Sequence, residues 1–197
     1  MSVYKNEVVT GSNDHGLKCI DIPSGKVKRE LFTKKYGHTE WVTSVAHLND
    51  GRILSGAMDS KLCLWHQTRV QCTDLLGHTG SISQVKICSD MGNNIGMSAS
   101  YDKTLKVWDL DSSHCIHTLE DVRGHTKAVT QFFWENSLVV SGGRDGLVCV
   151  WDVNTAQLVS VLEEHTAPIM CVDIVSNGNT NVLLSGSIDG NVCAWDL

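Results

Sequence analysis

Residues 141–152 read SGGRDGLVCVWD, and the spacing of Ser141, Asp145 and Trp151 within this stretch recurs along the chain. The Ser stands four residues before the Asp, the Asp stands six residues before the Trp, and a His lies 16 to 20 residues upstream of the Ser. Four units share this arrangement, and their Trp residues are 43, 43 and 44 residues apart. The sets are His38, Ser55, Asp59 and Trp65; His78, Ser98, Asp102 and Trp108; His125, Ser141, Asp145 and Trp151; and His165, Ser185, Asp189 and Trp195. A period of this length indicates a repeat architecture in which each unit is one supersecondary motif.

These units resemble the repeats of the WD-repeat β-propeller family. The resemblance covers nearly the whole chain and rests on the pairs Gly37-His38, Gly77-His78, Gly124-His125, Trp108-Asp109, Trp151-Asp152 and Trp195-Asp196. Two positions depart from it, since Glu164 precedes the last His and His66 follows Trp65. A partial fifth unit at the N-terminus keeps Thr10 and Asp14 but has Ile20 at the Trp position. The resemblance implies blades of four antiparallel strands.

Alternating apolar residues in the second unit predict its four strands directly. We place them at residues 41–48, 53–56, 62–65 and 70–76, with turns at 49–51 and 58–60. Asp-Gly pairs at 145–146 and 189–190 suit two-residue hairpins, because Gly tolerates positive φ. No segment of about twelve residues shows the 3.6-residue period of a helix. The sequence therefore predicts an all-β WD-repeat β-propeller.

The strand count predicts an incomplete ring. We expect one propeller segment over residues 1–197, made of a partial blade (1–36), three blades (37–76, 77–120 and 124–163) and a second partial blade (164–197). The first partial blade would lack an inner strand, and the last would lack an outer strand. The predicted total is therefore 18 strands, or about four and a half blades. Since members of the family usually close seven blades, we expect a piece of a larger propeller or a chain that self-associates through its unpaired terminal blades.

Composition excludes several functional classes. The chain has a formal net charge of −6 and 42% hydrophobic residues, which is typical of a folded soluble protein rather than a disordered one. No apolar run approaches about 18 residues, so no membrane insertion is expected. The N-terminus lacks the pattern of a signal peptide. The mild acidity argues against a general nucleic-acid binder.

The eight cysteines predict a reducing compartment, which we expect to be the cytoplasm, with the nucleus as the alternative. They are Cys19, Cys63, Cys72, Cys88, Cys115, Cys149, Cys171 and Cys193. They contain no Cys-x-x-Cys pair and no close Cys/His cluster, so we expect no metal site, and no motif indicates another cofactor. We interpret most of these cysteines as small buried hydrophobic residues.

Ser, His and Asp recurring together could suggest a hydrolase triad. A catalytic constellation, however, is made once, whereas this one occurs four times in equivalent positions. The family resemblance implies that each set forms a buried hydrogen-bonded chain, in which the Trp indole N–H is satisfied by the Ser. We therefore predict that all sixteen residues are structural and that the protein is not an enzyme.

The family resemblance also implies that partners bind on the top face, at three positions in each blade. Apolar and aromatic residues at these turn tips break the usual preference of turns for polar residues. The predicted partner-binding residues are Trp41, Met58, Tyr101, Arg144, Met170 and Ile188. We predict a non-catalytic scaffold that binds a protein or peptide, within a multiprotein complex.

One basic segment supports an alternative function. Lys26, Lys28, Arg29, Lys34 and Lys35 cluster in and after the predicted outer strand of the first unit. A solvated edge strand protected by Lys explains the cluster without any ligand. An RNA-associated propeller that uses residues 26–35 is the alternative, although no run of exposed aromatic residues accompanies the cluster.

Overall fold

The computed structural model describes residues 1–88, 94–177 and 180–196. All 19 regular elements in these residues are β-strands, and they form five antiparallel sheets. The first sheet contains β1 (Ser2–Tyr4), β2 (Glu7–Gly11), β3 (Leu17–Asp21) and β4 (Val27–Leu31). The second contains β5 (Val42–His47), β6 (Ile53–Ala57), β7 (Leu62–Trp65) and β8 (Cys72–Leu75). In both sheets, strands that are consecutive in the chain are neighbours in the sheet.

The next three sheets repeat this order. The third contains β9 (Ile82–Cys88), β10 (Ile95–Ser100), β11 (Leu105–Asp109) and β12 (His114–Leu119). The fourth contains β13 (Val129–Glu135), β14 (Leu138–Gly143), β15 (Val148–Asp152) and β16 (Gln157–Leu162). The fifth contains β17 (Ile169–Asn177), β18 (Thr180–Ser187) and β19 (Val192–Asp196). The all-β prediction, with blades of up to four antiparallel strands, is confirmed.

The strand count in the N-terminal repeat needs a correction. The sequence predicted three strands there and 18 in all, but β1 pairs with β2 from Ser2↔Val9 to Tyr4↔Glu7 and raises the total to 19. The turn between the two strands uses Lys5, which adopts a positive φ of 50°. The turn also contains Asn6, a common turn residue, but β1 has only three residues, so alternation does not reveal the strand that precedes it.

Contacts divide the chain into two compact units, each of which is larger than a single repeat. The first comprises Met1–Ser98 and Val107–Ile116, and the second comprises Ala99–Lys106 and His117–Leu197. Each unit has its own core. In the first unit, Val9, Leu17 and Leu31 of the first sheet pack with residues of β5, β6 and β7. In the second unit, side chains of β14 and β15 pack against Ile169 and Val172 of β17.

Glycines allow neighbouring sheets within a unit to approach closely. A Cβ at Gly56 in β6 would lie 2.5 Å from Ile82 Cγ2 in β9, and one at Gly142 in β14 would lie 2.4 Å from Ile169 Cγ2 in β17. Real Cβ atoms do not come this close to a side chain without displacing it. The sheets therefore pack with the aliphatic side chain of one strand directly on the backbone of the next sheet.

Most of the cysteines are partly or fully buried, and all eight are free thiols. Burial raises the pKa of the Cys149 thiol to about 12 and that of Cys19 to about 11. Thiols with such values are protonated at neutral pH and therefore unreactive. Cys19 and Cys149 thus fit the interpretation as small core residues.

Candidate functional site

In the fourth sheet, the repeated residues form one hydrogen-bonded chain. His125 Nδ1 lies 3.2 Å from both carboxylate oxygens of Asp145, and its Nε2 lies 2.7 Å from Ser141 Oγ. Trp151 Nε1 donates to the same Oγ at 2.8 Å. Because the carboxylate only accepts, Nδ1 carries the proton, and the Ser141 hydroxyl donates to Nε2 while it accepts from the indole. The chain links the buried Trp of β15 to the turn between β14 and β15.

The second and fifth sheets contain the same bonds, and the third sheet contains the Trp–Ser and His–Ser bonds. In the second sheet, Ser55 Oγ accepts from Trp65 Nε1 at 2.9 Å and lies 2.7 Å from His38 Nε2, whose Nδ1 is 3.0 Å from Asp59. In the fifth sheet, the distances are 2.9 Å for each of Trp195–Ser185, His165–Ser185 and His165–Asp189. In the third sheet, they are 2.8 Å for Trp108–Ser98 and 2.7 Å for His78–Ser98. In the second unit, Asp102 accepts from the backbone N–H and hydroxyl of Thr104.

The Asp145 carboxylate also accepts hydrogen bonds from backbone N–H groups. It accepts N–H groups from Thr126 at 2.8 Å, Lys127 at 3.2 Å and Leu147 at 3.0 Å. Burial raises the pKa of Asp145, but hydrogen bonds from His125 and from these N–H groups outweigh it and hold the pKa below its ordinary value. The pKa of Asp59 is lowered by the same balance, through His38 and the neighbouring backbone. These carboxylates are thus stabilised in the charged form by the fold.

This charge stabilisation predicts a pH dependence of stability. A carboxyl group whose folded pKa lies below its unfolded value contributes stability above the unfolded value, and this contribution is lost as the pH falls through the folded value. We expect the unfolding free energy to fall steadily below about pH 5. Urea titrations from pH 7 to pH 3 measure it, and Asp145→Asn should flatten the curve relative to the parent chain. An equal slope in both proteins would contradict this assignment.

Two predicted partner-binding residues lie at turn tips of the first unit. Trp41 is 49% exposed and Met58 is 39% exposed. The Trp41 carbonyl accepts the Met58 N–H at 2.9 Å, and the Met58 carbonyl accepts from Ser81 Oγ at 3.2 Å. Hydrogen bonds therefore fix the backbone at these two residues, while their side chains are partly exposed to solvent.

Tyr101 and Arg144 form a pair in the second unit. The Arg144 guanidinium carbon lies 4.9 Å from the centre of the Tyr101 ring, and Nη2 donates to the Tyr101 hydroxyl at 3.2 Å. The Arg144 N–H donates to the Ala128 carbonyl at 2.8 Å. Among the described residues, Arg144 forms no ion pair. The stacked arrangement leaves its charge available at the surface.

Met170 and Ile188 are exposed in the second unit as well. Ile188 is 64% exposed, and its N–H donates to the Pro168 carbonyl at 3.1 Å. Met170 occupies a bulge in β17, where the pairing with β18 shifts between Ile169 and Cys171. Both side chains therefore present apolar surface from backbone that is held in place.

The bulge position has a role that the sequence did not indicate. In β5 and β13 the same bulge holds Thr43 and Thr130. The single hydroxyl proton of Thr43 is shared between the carbonyls of Gly56 and Ile82, and that of Thr130 is shared in the same way between Gly142 and Ile169. These shared bonds connect one sheet to the next within each unit, so Met170 stands at a position that other repeats use for packing between blades.

The basic segment is partly neutralised. Lys28 Nζ lies 2.8 Å from Asp21, and Arg29 Nη2 lies 3.1 Å from Glu7. Arg29 Nη1 also donates to the Gln67 carbonyl at 2.5 Å. Arg29 thus makes its contacts within the first unit, while Lys26 is exposed directly before the edge strand β4.

The repeated geometry agrees with a comparison of the sequence with known families. The family described as "WD domain, G-beta repeat" matches residues 29–66, 69–109, 113–152 and 156–196, which is most of the chain. The chain belongs to the WD-repeat β-propeller family. The hydrogen-bonded sets described above fall within these four WD repeats, each of which ends one residue after its Trp.

Curated relatives of this WD-repeat chain match it over most of its length. Autophagy-related protein 16 of Arabidopsis thaliana is 29% identical over 86% of the chain, and the U3 small nucleolar RNA-associated protein 15 homolog of Gallus gallus is 33% identical over 87%. The chain spans 32% of the length of each relative. These whole proteins are therefore considerably longer than the segment that they share with it.

A solved structure with the same fold is the crystal structure of the computationally designed Ika8 protein. It superposes on 99% of the WD-repeat chain with a TM-score of 0.81 and 28% sequence identity, and the match covers 57% of the designed chain. The described part of the chain contains no helical segment with the length and hydropathy of a membrane span.

Proposed function

We propose that this WD-repeat chain is a non-catalytic scaffold that binds protein or peptide partners through exposed turn-tip residues. The observation that carries the proposal is the Tyr101–Arg144 pair, which combines an aromatic ring, a cation and a fixed backbone at an exposed turn. Tyr, Trp and Arg are enriched among the residues that dominate binding energies at interfaces. Trp41 with Met58 supplies a corresponding pair in the first unit.

The buried sets support the non-catalytic part of the proposal. Ser141 is fully buried, and its hydroxyl oxygen already accepts from Trp151 while it donates to His125. A nucleophile has to reach a substrate, which a hydroxyl enclosed by the core does not. We propose that these residues support the blade rather than react.

The binding residues can be tested with a library of random linear peptides displayed on phage. We expect peptides that are enriched on the parent chain to bind Tyr101→Ala and Arg144→Glu about thirtyfold more weakly, which is the cost of losing a hot-spot residue. The melting temperature should change little, because both side chains are exposed. Fluorescence anisotropy of a labelled peptide measures the affinity.

A double variant with one residue directly before the edge strand and one on it serves as the control. Lys26→Glu with Lys28→Glu alters the charge of the first unit without touching either turn-tip pair, so peptide affinity should stay within about twofold of the parent value. Enriched peptides that bind all turn-tip variants as tightly as the parent would refute the proposed surface. Trp41→Ala tests the first unit separately.

An RNA-associated role is the second candidate, and the name of one relative, a U3 small nucleolar RNA-associated protein homolog, favours it. The basic residues 26–35 would then carry the contact. Phosphate contacts weaken steeply with salt, whereas binding centred on apolar residues does not. A labelled single-stranded RNA that binds the parent chain but not Lys26→Glu with Lys28→Glu, with a steep salt dependence, would favour this candidate.

For either role we propose a reducing compartment, the cytoplasm or the nucleus, because all eight cysteines are free thiols.

A further inference from the structure

Two cysteines and an aspartate meet at the outer edge of the second sheet. Cys63 lies on β7, and Cys72 and Asp74 lie on the neighbouring edge strand β8. The register pairs Cys63 with Asp74 and Trp65 with Cys72. Cys72 and Asp74 share a face because they are two residues apart on one strand. Cys63 shares that face because it is paired directly with Asp74, so all three side chains project from the same side of the sheet.

The donor atoms of these residues have the spacing of a metal site. Asp74 Oδ1 lies 3.5 Å from Cys63 Sγ and 3.7 Å from Cys72 Sγ, and one donor atom from each residue lies within 4.8 Å of the other two. Zinc binds thiolate sulfur at about 2.3 Å and carboxylate oxygen at about 2.0–2.2 Å, so its tetrahedral ligands stand roughly 3.4–3.8 Å apart. Only a small movement of the sulfurs would complete this geometry.

A lysine balances the charge of the cluster. Lys61 Nζ lies 2.8 Å from Asp74 Oδ2, which is the carboxylate oxygen that the sulfurs do not contact. Two thiolates and a carboxylate carry three negative charges, which a divalent cation and Lys61 together neutralise. The ammonium group also holds the carboxylate with Oδ1 turned to the sulfurs, as outer partners of metal ligands commonly do.

We propose that Cys63, Cys72 and Asp74 form a zinc-binding site in the second blade. On binding, each thiol loses its proton to solvent, and the sulfurs and Asp74 Oδ1 become the three protein ligands. A water molecule takes the fourth position, because Asp74 is exposed and opens the cluster to solvent. His38 Nδ1 lies 3.8 Å from Cys63 Sγ but stays bonded to Asp59.

The sequence predicted no metal site because these cysteines are nine residues apart and do not form a zinc-binding motif. Pairing of β7 with β8 brings them together. The fourth blade lacks the cluster, since Cys149 stands at the position equivalent to Cys63 but pairs with Val161 instead of an acidic residue.

Competition with a chromophoric chelator tests the proposal on the full chain, kept reduced by a phosphine. Zn²⁺ alone is the probe, and Cd²⁺ reports thiolate ligands through its charge-transfer absorption. We expect one zinc equivalent that is lost in Cys72→Ser, with affinity reduced by more than about 100-fold, beyond the range for an outer partner. Asp74→Asn should weaken binding at least tenfold, since a neutral amide replaces a charged ligand.

Cys149→Ala is the matched control for Cys63→Ala, because it removes a buried thiol from the equivalent strand position. It should leave the zinc equivalent and the cadmium absorption unchanged, whereas Cys63→Ala should abolish both. Cys72 and Asp74 are not in the core, so their variants test the site even if Cys63→Ala unfolds. Equal zinc stoichiometry and affinity in the parent chain, Cys72→Ser and Asp74→Asn would overturn the proposal, including the case in which zinc binds only to surface histidines.

Discussion

Replacing Trp151 with Ala is expected to lower the free energy of unfolding by about 3–5 kcal/mol. Trp151 is buried in β15, and its indole N–H is bonded to Ser141 Oγ. The truncation leaves a large cavity and removes the donor from one end of the hydrogen-bonded chain. Both effects act in a core that is close-packed, so the surrounding side chains relax only partly.

Urea unfolding followed by far-ultraviolet circular dichroism measures this change. Trp195 provides a matched control, because it makes the same bond to Ser185 at 2.9 Å but is only partly buried. Trp195→Ala should therefore cost clearly less than Trp151→Ala. Equal costs would mean that the hydrogen bond, rather than the buried volume, dominates the contribution of this residue.

Replacing Asp145 with Ala is expected to cost about 3 kcal/mol or more, although the change removes only a few atoms. The carboxylate accepts from His125 and from three backbone N–H groups, and its side chain is only 4% exposed. Leaving the buried His125 N–H without a partner costs about 1–3 kcal/mol, and the more exposed N–H groups of the backbone add smaller amounts. A packing argument alone would predict a much smaller effect.

Asp152 is the control for this experiment. It lies in the same blade and accepts from the Asn154 N–H at 2.9 Å, but the turn that it caps is exposed. Asp152→Ala should change the unfolding free energy by less than about 1 kcal/mol. Should the two variants be equally stable, the Asp145 network would contribute little to the stability of the fold.

The repeat itself could be derived from the sequence because it depends on local patterns. Four sets of His, Ser, Asp and Trp at constant spacing predicted the WD-repeat family, and the family comparison confirms it. Alternation of apolar residues predicted strands such as 62–65, which is the range that β7 occupies. Where a strand was too short for alternation to appear, as in β1, the prediction was wrong.

The predicted partner-binding residues were chosen from their positions in the repeat, but the sequence does not predict which residues surround them. Stacking of Arg144 on Tyr101 depends on two turns that lie 43 residues apart. The bonds of Thr43 to Gly56 and Ile82 join two sheets through a bulge that the sequence pattern does not reveal. Likewise, the charge of the basic segment depends on Glu7, which reaches Arg29 only after β2 and β4 enter one sheet.

The sequence by itself determined the repeat, the all-β class and the family, because periodic patterns of burial and turn residues are properties of neighbouring residues. Tertiary structure alone decided which polar groups meet. Cys63, Cys72 and Asp74 come together through the register of β7 and β8, and Lys61 then completes their charge balance. A register shift of one residue would place facing side chains on opposite sides of the sheet, so such a cluster depends on the pairing of whole strands.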